Sequence, residues 1–273
     1  MIPPFTPAWS LHPSVLIGVG LLGMLYFVSI RRGQRALGPA AMVEPWRPLC
    51  FGAGLLVILG ALNGPIHDLS DTYLFWIHMA QHLLLTMVLP PLLIAGLPGW
   101  LADRLTARPS VRRIARLLTH PVFAGLFFSA VLLVWHTEGA YDLMMRDHRV
   151  HIATHLMFIA AAVLLWWPVV SPGASLPRLA PGQGMLYLFL VQLPMQLLAA
   201  IITFADRPLY TWYLAAPRTW GLSPLDDQKL GGLLMWIPGN LWIFGAMSIL
   251  FFQWARAERT APTVDGQRST GTA

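Results

Sequence analysis

Apolar runs of 17 or more residues recur seven times between residues 14 and 254, near 14–30, 49–66, 72–97, 120–136, 151–170, 184–204 and 231–254. A helix needs about 20 such residues to cross the hydrocarbon of a bilayer, and in lipid every backbone polar group must be satisfied within the segment. The pattern predicts an all-α polytopic membrane protein with seven transmembrane helices, a single domain over residues 1–256, and a disordered polar tail over 257–273. Charge agrees: only 11% of residues are charged and 56% are hydrophobic, against about 25% charged in a soluble domain. Pro90-Pro91 in the third run should kink it or end its regular part early, and Pro238-Gly239 in MWIPGN should break the seventh.

The charges that remain sort by loop. Thirteen of the eighteen basic residues lie in 31–48, 98–119, 171–183 and the C-terminal tail, whereas the alternate loops carry five basic and eight acidic residues. Basic residues concentrate on the cytoplasmic side, so the N-terminus is expected outside and the C-terminus in the cytoplasm. The same distribution removes nucleic acid as a partner, despite a net charge of +6, because the arginines sit in separate short loops and form no stripe. The start, MIPPFTPAWSLHPS, lacks the basic region of a cleavable signal and is expected to stay in the mature chain. One cysteine, Cys50, excludes an internal disulfide and a thiolate metal cage.

Histidine is distributed unevenly across this topology. His120 falls at the cytoplasmic end of the fourth run, while His12, His67, His78, His82, His136, His148, His151 and His155 fall in the outer half or outer loops. HMAQH holds His78 and His82, and HIATH holds His151 and His155. Residues i and i+4 lie one turn apart on one helix face, so each pair can chelate one ion. Counting about 1.5 Å per residue from the outer ends matches His78, His82 and His155 in depth, with His151 or His136 above them. These five are the expected metal ligands.

Ligand chemistry orders the metals. Imidazole suits copper, iron, zinc and nickel, and thioether favours Cu(I). Met79, Met144, Met145, Met157 and Met235 occur near the expected site, so copper ranks first, heme iron second and zinc third. Against this stands the ordinary reading: a lone histidine or methionine in an apolar helix usually packs or hydrogen-bonds. His12 and His148 are expected to be solvated loop residues. Asp226-Asp227-Gln228 is expected to cap the last helix, with a carboxylate orienting a ligand imidazole as the alternative. GPIHD (64–68) reads as the end of span two, with His67 beside Asp68 as a plain turn or a supporting pair. No P-loop, catalytic serine triad or dinucleotide fingerprint occurs, and no enzymatic reaction is expected. A bis-histidine b-type heme between spans three and five, a copper transporter and a purely structural scaffold remain open.

Three stretches carry a family resemblance: HMAQHLLLTMVLPPLLIAGLP, VWHTEGAYDLMMRDHRVHIATHLMFIAAAVLLWWPVV and DDQKLGGLLMWIPGN. In that order they resemble the CtaG-type assembly factors of caa-type cytochrome c oxidases, over about residues 45 to 255. The resemblance implies a multi-pass protein of the bacterial cytoplasmic (inner) membrane needed to produce active heme-copper oxidase. Copper delivery is the expected role, with oxidase subunits, a periplasmic or extracellular copper donor and the lipid bilayer as partners.

Overall fold

The computed structural model describes residues 10–218 and 220–260. Every regular element among them is helical: α1 (Pro13–Leu37), α2 (Trp46–Ala61), α3 (Gly64–Thr72), α4 (Phe75–Leu83), α5 (Leu89–Gly96), α6 (Gly99–Leu105), α7 (Pro109–Leu118), α8 (Pro121–Trp135), α9 (Glu138–Arg146), α10 (His148–Val170), α11 (Pro181–Phe204) and α12 (Pro224–Thr260), with short 3-10 turns between. Among the described residues, five segments are long and apolar enough to cross a membrane. The number rises to seven if α2 with α3, bent by 48°, and α7 with α8, bent by 60°, each count as one span. The last helix runs through Thr260, four residues into the expected tail; residues 261–273 lie outside the described part.

The two sequence-level breaks turn out differently from each other. Pro90 and Pro91 do not end the third span, but its regular α-helix stops early, at Leu83. The chain passes from α4 through one widened π-helical turn, Leu84–Val88, into α5. A proline at 90 cannot donate to the carbonyl four residues back. That carbonyl, Thr86 O, accepts instead from Trp166 Nε1 at 3.0 Å. The freed backbone group is satisfied by a neighbouring helix, which is how membrane helices tolerate proline. Pro238 and Gly239, by contrast, sit within the continuous α12.

GPIHD is not the end of a helix but the start of one. Gly64 takes φ +64°, a left-handed value that costs little only for glycine, and Pro65 follows in the first turn of α3. The preceding segment docks on this break: Gly64 N donates to Ser10 O at 2.8 Å, and His12 N donates to Asn63 Oδ1 at 2.8 Å. Ser10 Oγ then donates to Asp68 Oδ1 at 2.6 Å, so Asp68 serves that clasp and not His67.

The last helix seats the site. Gly231 and Gly232 lie where α12 meets two neighbours. A Cβ on Gly231 would stand 2.4 Å from the Phe75 ring of α4, and one on Gly232 would stand 2.9 Å from Thr203 N of α11. Small residues let membrane helices approach this closely. Asp227, fully buried, then accepts from Phe75 N at 3.1 Å and Trp76 N at 3.0 Å. It caps α4, not its own helix. Ser223 starts α12, its Oγ accepting from Asp226 N at 3.1 Å.

The basic loop 98–119 contains α6 and α7. In α7, Val111, Ile114 and Leu117 are exposed, with the exposed Arg113 and Arg116 nearby. That combination of apolar and basic residues fits a helix lying in the headgroup region.

Candidate metal centre

Local structure sets the first two histidines. With α4 starting at Phe75, His78 and His82 emerge one turn apart from its buried face, ring centroids 4.5 Å from each other. On α10, Asp147 Oδ1 accepts from Arg149 N at 2.8 Å and Val150 N at 3.2 Å. This cap fixes the first turn and places His151 and His155 on the inward side, where both are buried.

The two helices converge at the histidines. One ring nitrogen from each of His78, His82 and His155 lies within 4.8 Å of the others. Both nitrogens of His78 and both of His82 are buried with no hydrogen-bond partner among the described residues. Leaving a buried polar atom unpaired costs about 1–3 kcal/mol. Each neutral ring has one lone-pair nitrogen and one N–H, so the two rings present two lone pairs that suit an electron-pair acceptor and two N–H groups without an acceptor. An imidazole-only set of this kind fits a borderline transition ion and does not fit magnesium or calcium, which take oxygen.

His151 and His136 flank the triad without joining it. His151 Nε2 stands 3.2 Å from His155 Nε2. His136, just past the end of α8, holds Nδ1 at 2.8 Å from Leu132 O. A carbonyl only accepts, so Nδ1 carries the proton and Nε2 keeps a free lone pair. That Nε2 is buried and unpartnered, and the ring centroid is 6.2 Å from that of His82. Below them lies a cavity of about 20 Å³, lined by His82, His136, Met79, Met87, Met195 and Met235. Met79 and Met235 are among the methionines expected near the site; Met144, Met145 and Met157 do not line this cavity, and Met87 and Met195 do.

Three tyrosines roof the cluster. Tyr213 OH donates to Ser70 O at 2.6 Å and Tyr210 OH donates to His136 O at 3.1 Å. With its own proton committed, Tyr213 accepts from Tyr141 OH at 3.2 Å. Burial pushes the phenols of Tyr210 and Tyr213 above their ordinary range, so both remain neutral donors. The Tyr141 ring lies 5.5 Å from His78 and shields it from above. Sequence reasoning did not single out these residues, because an isolated tyrosine in a loop carries no spacing signal.

Two expectations for lone histidines are corrected. His12 is not a solvated loop residue: it is half-buried, its Nε2 lacks a partner, and its ring meets that of His67 edge-on at 4.4 Å. The clasp of Ser10 and His12 onto the α2–α3 break puts it there. His67 pairs with Asp71, at 3.4 Å, and not with Asp68. His148 is exposed as expected, and His120 only precedes α8.

Fold and site together define a multi-pass helical membrane protein with a buried imidazole cluster. The family model for the cytochrome c oxidase caa3 assembly factor (Caa3_CtaG) matches residues 24–257, and the chain belongs to that family. Uncharacterized proteins of Mycobacterium bovis and Mycobacterium tuberculosis are each 28% identical over 205 residues, covering 68% of this chain and 31% of theirs. One of Mycobacterium leprae is 22% identical over 278 residues, 95% of this chain and 40% of its own. The chain thus spans well under half the length of these curated relatives. No solved structure matches it.

Proposed function

We propose that this assembly factor binds copper at His78, His82 and His155, with His151 and His136 beside them, and delivers it to a subunit of a heme-copper oxidase. The observation that carries the reading is the convergence of three buried imidazoles, two of them with every ring nitrogen unpaired. The thioethers of Met79, Met87, Met195 and Met235 around the adjacent cavity favour Cu(I), and a His/Met environment permits exchange where a closed thiolate site would not. The protein acts as a carrier and performs no reaction on a substrate. It resides in the bacterial cytoplasmic membrane with its N-terminus outside, so the histidines take copper from a periplasmic or extracellular donor.

A b-type heme between α4 and α10 is the weaker reading. His82 faces a cavity of about 20 Å³, whereas a bound cofactor needs several hundred Å³. Deleting the protein should leave oxidase polypeptides made but poor in copper, and excess copper in the medium should partly restore activity by mass action. A scaffold would not respond to copper. Full oxidase activity at limiting copper in a His78→Ala/His82→Ala strain would end the metal reading.

A further inference from the structure

At the end of α10 opposite its histidines, a groove of about 610 Å³ opens between α5, α10 and α12. Small residues leave it unfilled. Ala95 of α5 and Gly245 and Ala246 of α12 line it, and a Cβ on Gly245 would meet nothing within 4 Å. Leu241, Gly245, Ile249 and Gln253 follow one another along the lining at a spacing of one helix face. From the first to the last, α12 rises about 18 Å at 1.5 Å per residue. A hydrocarbon core about 30 Å thick gives each leaflet about 15 Å, so the groove is as deep as one leaflet.

The mouth of the groove is basic. Arg178 stands there, exposed, in the segment between α10 and α11. Among the described residues it belongs to no ion pair. The segment is pinned on both sides of it: Leu179 N donates to Pro168 O at 2.7 Å, and Ser171 Oγ donates to Leu176 O. Arg47 also lines the groove, its Nη1 donating to Ala95 O at 3.1 Å and Leu97 O at 2.7 Å. Those bonds fix its guanidinium at the end of α5. Trp46, beside it, is exposed in the way of an aromatic at a membrane interface.

Apolar walls alone select nothing in a bilayer, because an acyl chain is as apolar as a leucine side chain. An empty groove would forfeit dispersion contacts along its length, so a chain fills it, and the charge at the mouth decides which. A guanidinium matches the geometry of a phosphate. Basic pockets between membrane helices bind anionic headgroups for this reason.

We propose that the groove is a specific site for one anionic phospholipid from the leaflet on the side of the basic loops. Its phosphate is held by Arg178 and supported by Arg47, and one acyl chain lies along α12 over Gly245. The site does not depend on copper. Trp166 forms part of its wall and donates to Thr86 O in the π-helical turn after α4, so the bound chain packs against the residue that holds that turn.

The test is native mass spectrometry of the full-length chain in detergent, with phosphatidylglycerol and phosphatidylcholine as probes. One phosphatidylglycerol should be retained under activation that strips phosphatidylcholine. Arg178→Ala should weaken the anionic lipid by about fivefold, the worth of one basic residue near a membrane surface, and leave phosphatidylcholine unchanged. Arg178→Lys should keep most of the preference. Gly245→Leu fills the groove from an open position and should abolish retention, with the thermal midpoint in lipid-free detergent at or above that of the wild type. Equal retention of the two lipids, or wild-type retention in both Arg178→Ala and Gly245→Leu, would overturn the site. A dimer that retains no lipid and that Gly245→Leu dissociates would overturn it too, by making the groove an interface between copies.

Discussion

Asp227, near the start of the last helix, caps the helix that carries His78 and His82, its two oxygens accepting from Trp76 N at 3.0 Å and Phe75 N at 3.1 Å. One side chain on α12 therefore sets the register of the HMAQH pair, far earlier in the chain. Arg218 Nη1, at 3.5 Å, is its counter-charge. Asp227→Ala should leave two buried N–H groups without a partner and destabilise the fold by about 2 kcal/mol or more. Asp227→Asn keeps one acceptor and should cost less. Thermal unfolding in detergent, read beside bound copper, measures both.

The triad should separate from its surroundings in a binding experiment. His78→Ala, His82→Ala and His155→Ala should each weaken copper binding by at least about tenfold. His148→Ala and His120→Ala should leave it near wild type, one being exposed and the other preceding a different helix. Chelator competition on purified variants reads the affinities. Equal losses for His120→Ala and His82→Ala would point to misfolding and remove the ligand assignment.

Gly232 makes a sharper packing prediction than Gly231. An alanine at 232 would meet backbone, Thr203 N at 2.9 Å and Ala199 O at 3.2 Å, so α11 and α12 must separate. Overpacking of this kind costs about 1–3 kcal/mol. At 231 the obstacle is the Phe75 ring, which stacks on Tyr210 with centroids 4.9 Å apart. Gly231→Ala should disturb the tyrosine roof as well as stability. A shifted tyrosine fluorescence signal in Gly231→Ala but not in Gly232→Ala would distinguish the two.

Trp166→Phe tests the turn that replaces a proline kink. Among the described residues, the variant removes the donor that reaches Thr86 O from another helix. The unpaired carbonyl should cost about 1–3 kcal/mol, visible as a lower thermal midpoint with copper affinity little changed.

The proposed orientation has its own check. A reporter active only outside the cytoplasm should work when fused after residue 145 and stay silent after residue 110, following the basic asymmetry of the loops. The reverse pattern would put the histidines on the cytoplasmic side and exclude a periplasmic or extracellular donor.

Sequence alone determined what depends on neighbours along the chain. The length of each apolar run marked where helices lie, and the i, i+4 spacing paired His78 with His82 and His151 with His155, because 3.6 residues per turn is a local property. Counting the rise from each outer end also matched His155 with His78 and His82 in depth, and these are the three that the structure brings within 4.8 Å. Depth along an axis is local as well. What faces what across helices is not, since it depends on how closely they approach and how each is rotated. The break at Gly64 turned GPIHD into a new helix and moved His67 to Asp71. The docking of Ser10 and His12 on that break buried a histidine that reads as loop. The small residues of GGLLMW brought α12 against α4 and let Asp227 cap a foreign helix. Pro90-Pro91 marked an irregularity in the third run, but only the position of Trp166 Nε1 decided that the span would continue through it. Tertiary packing joined the histidine pairs into one cluster, because long-range hydrogen bonds and close helix approach have no signature in residue spacing.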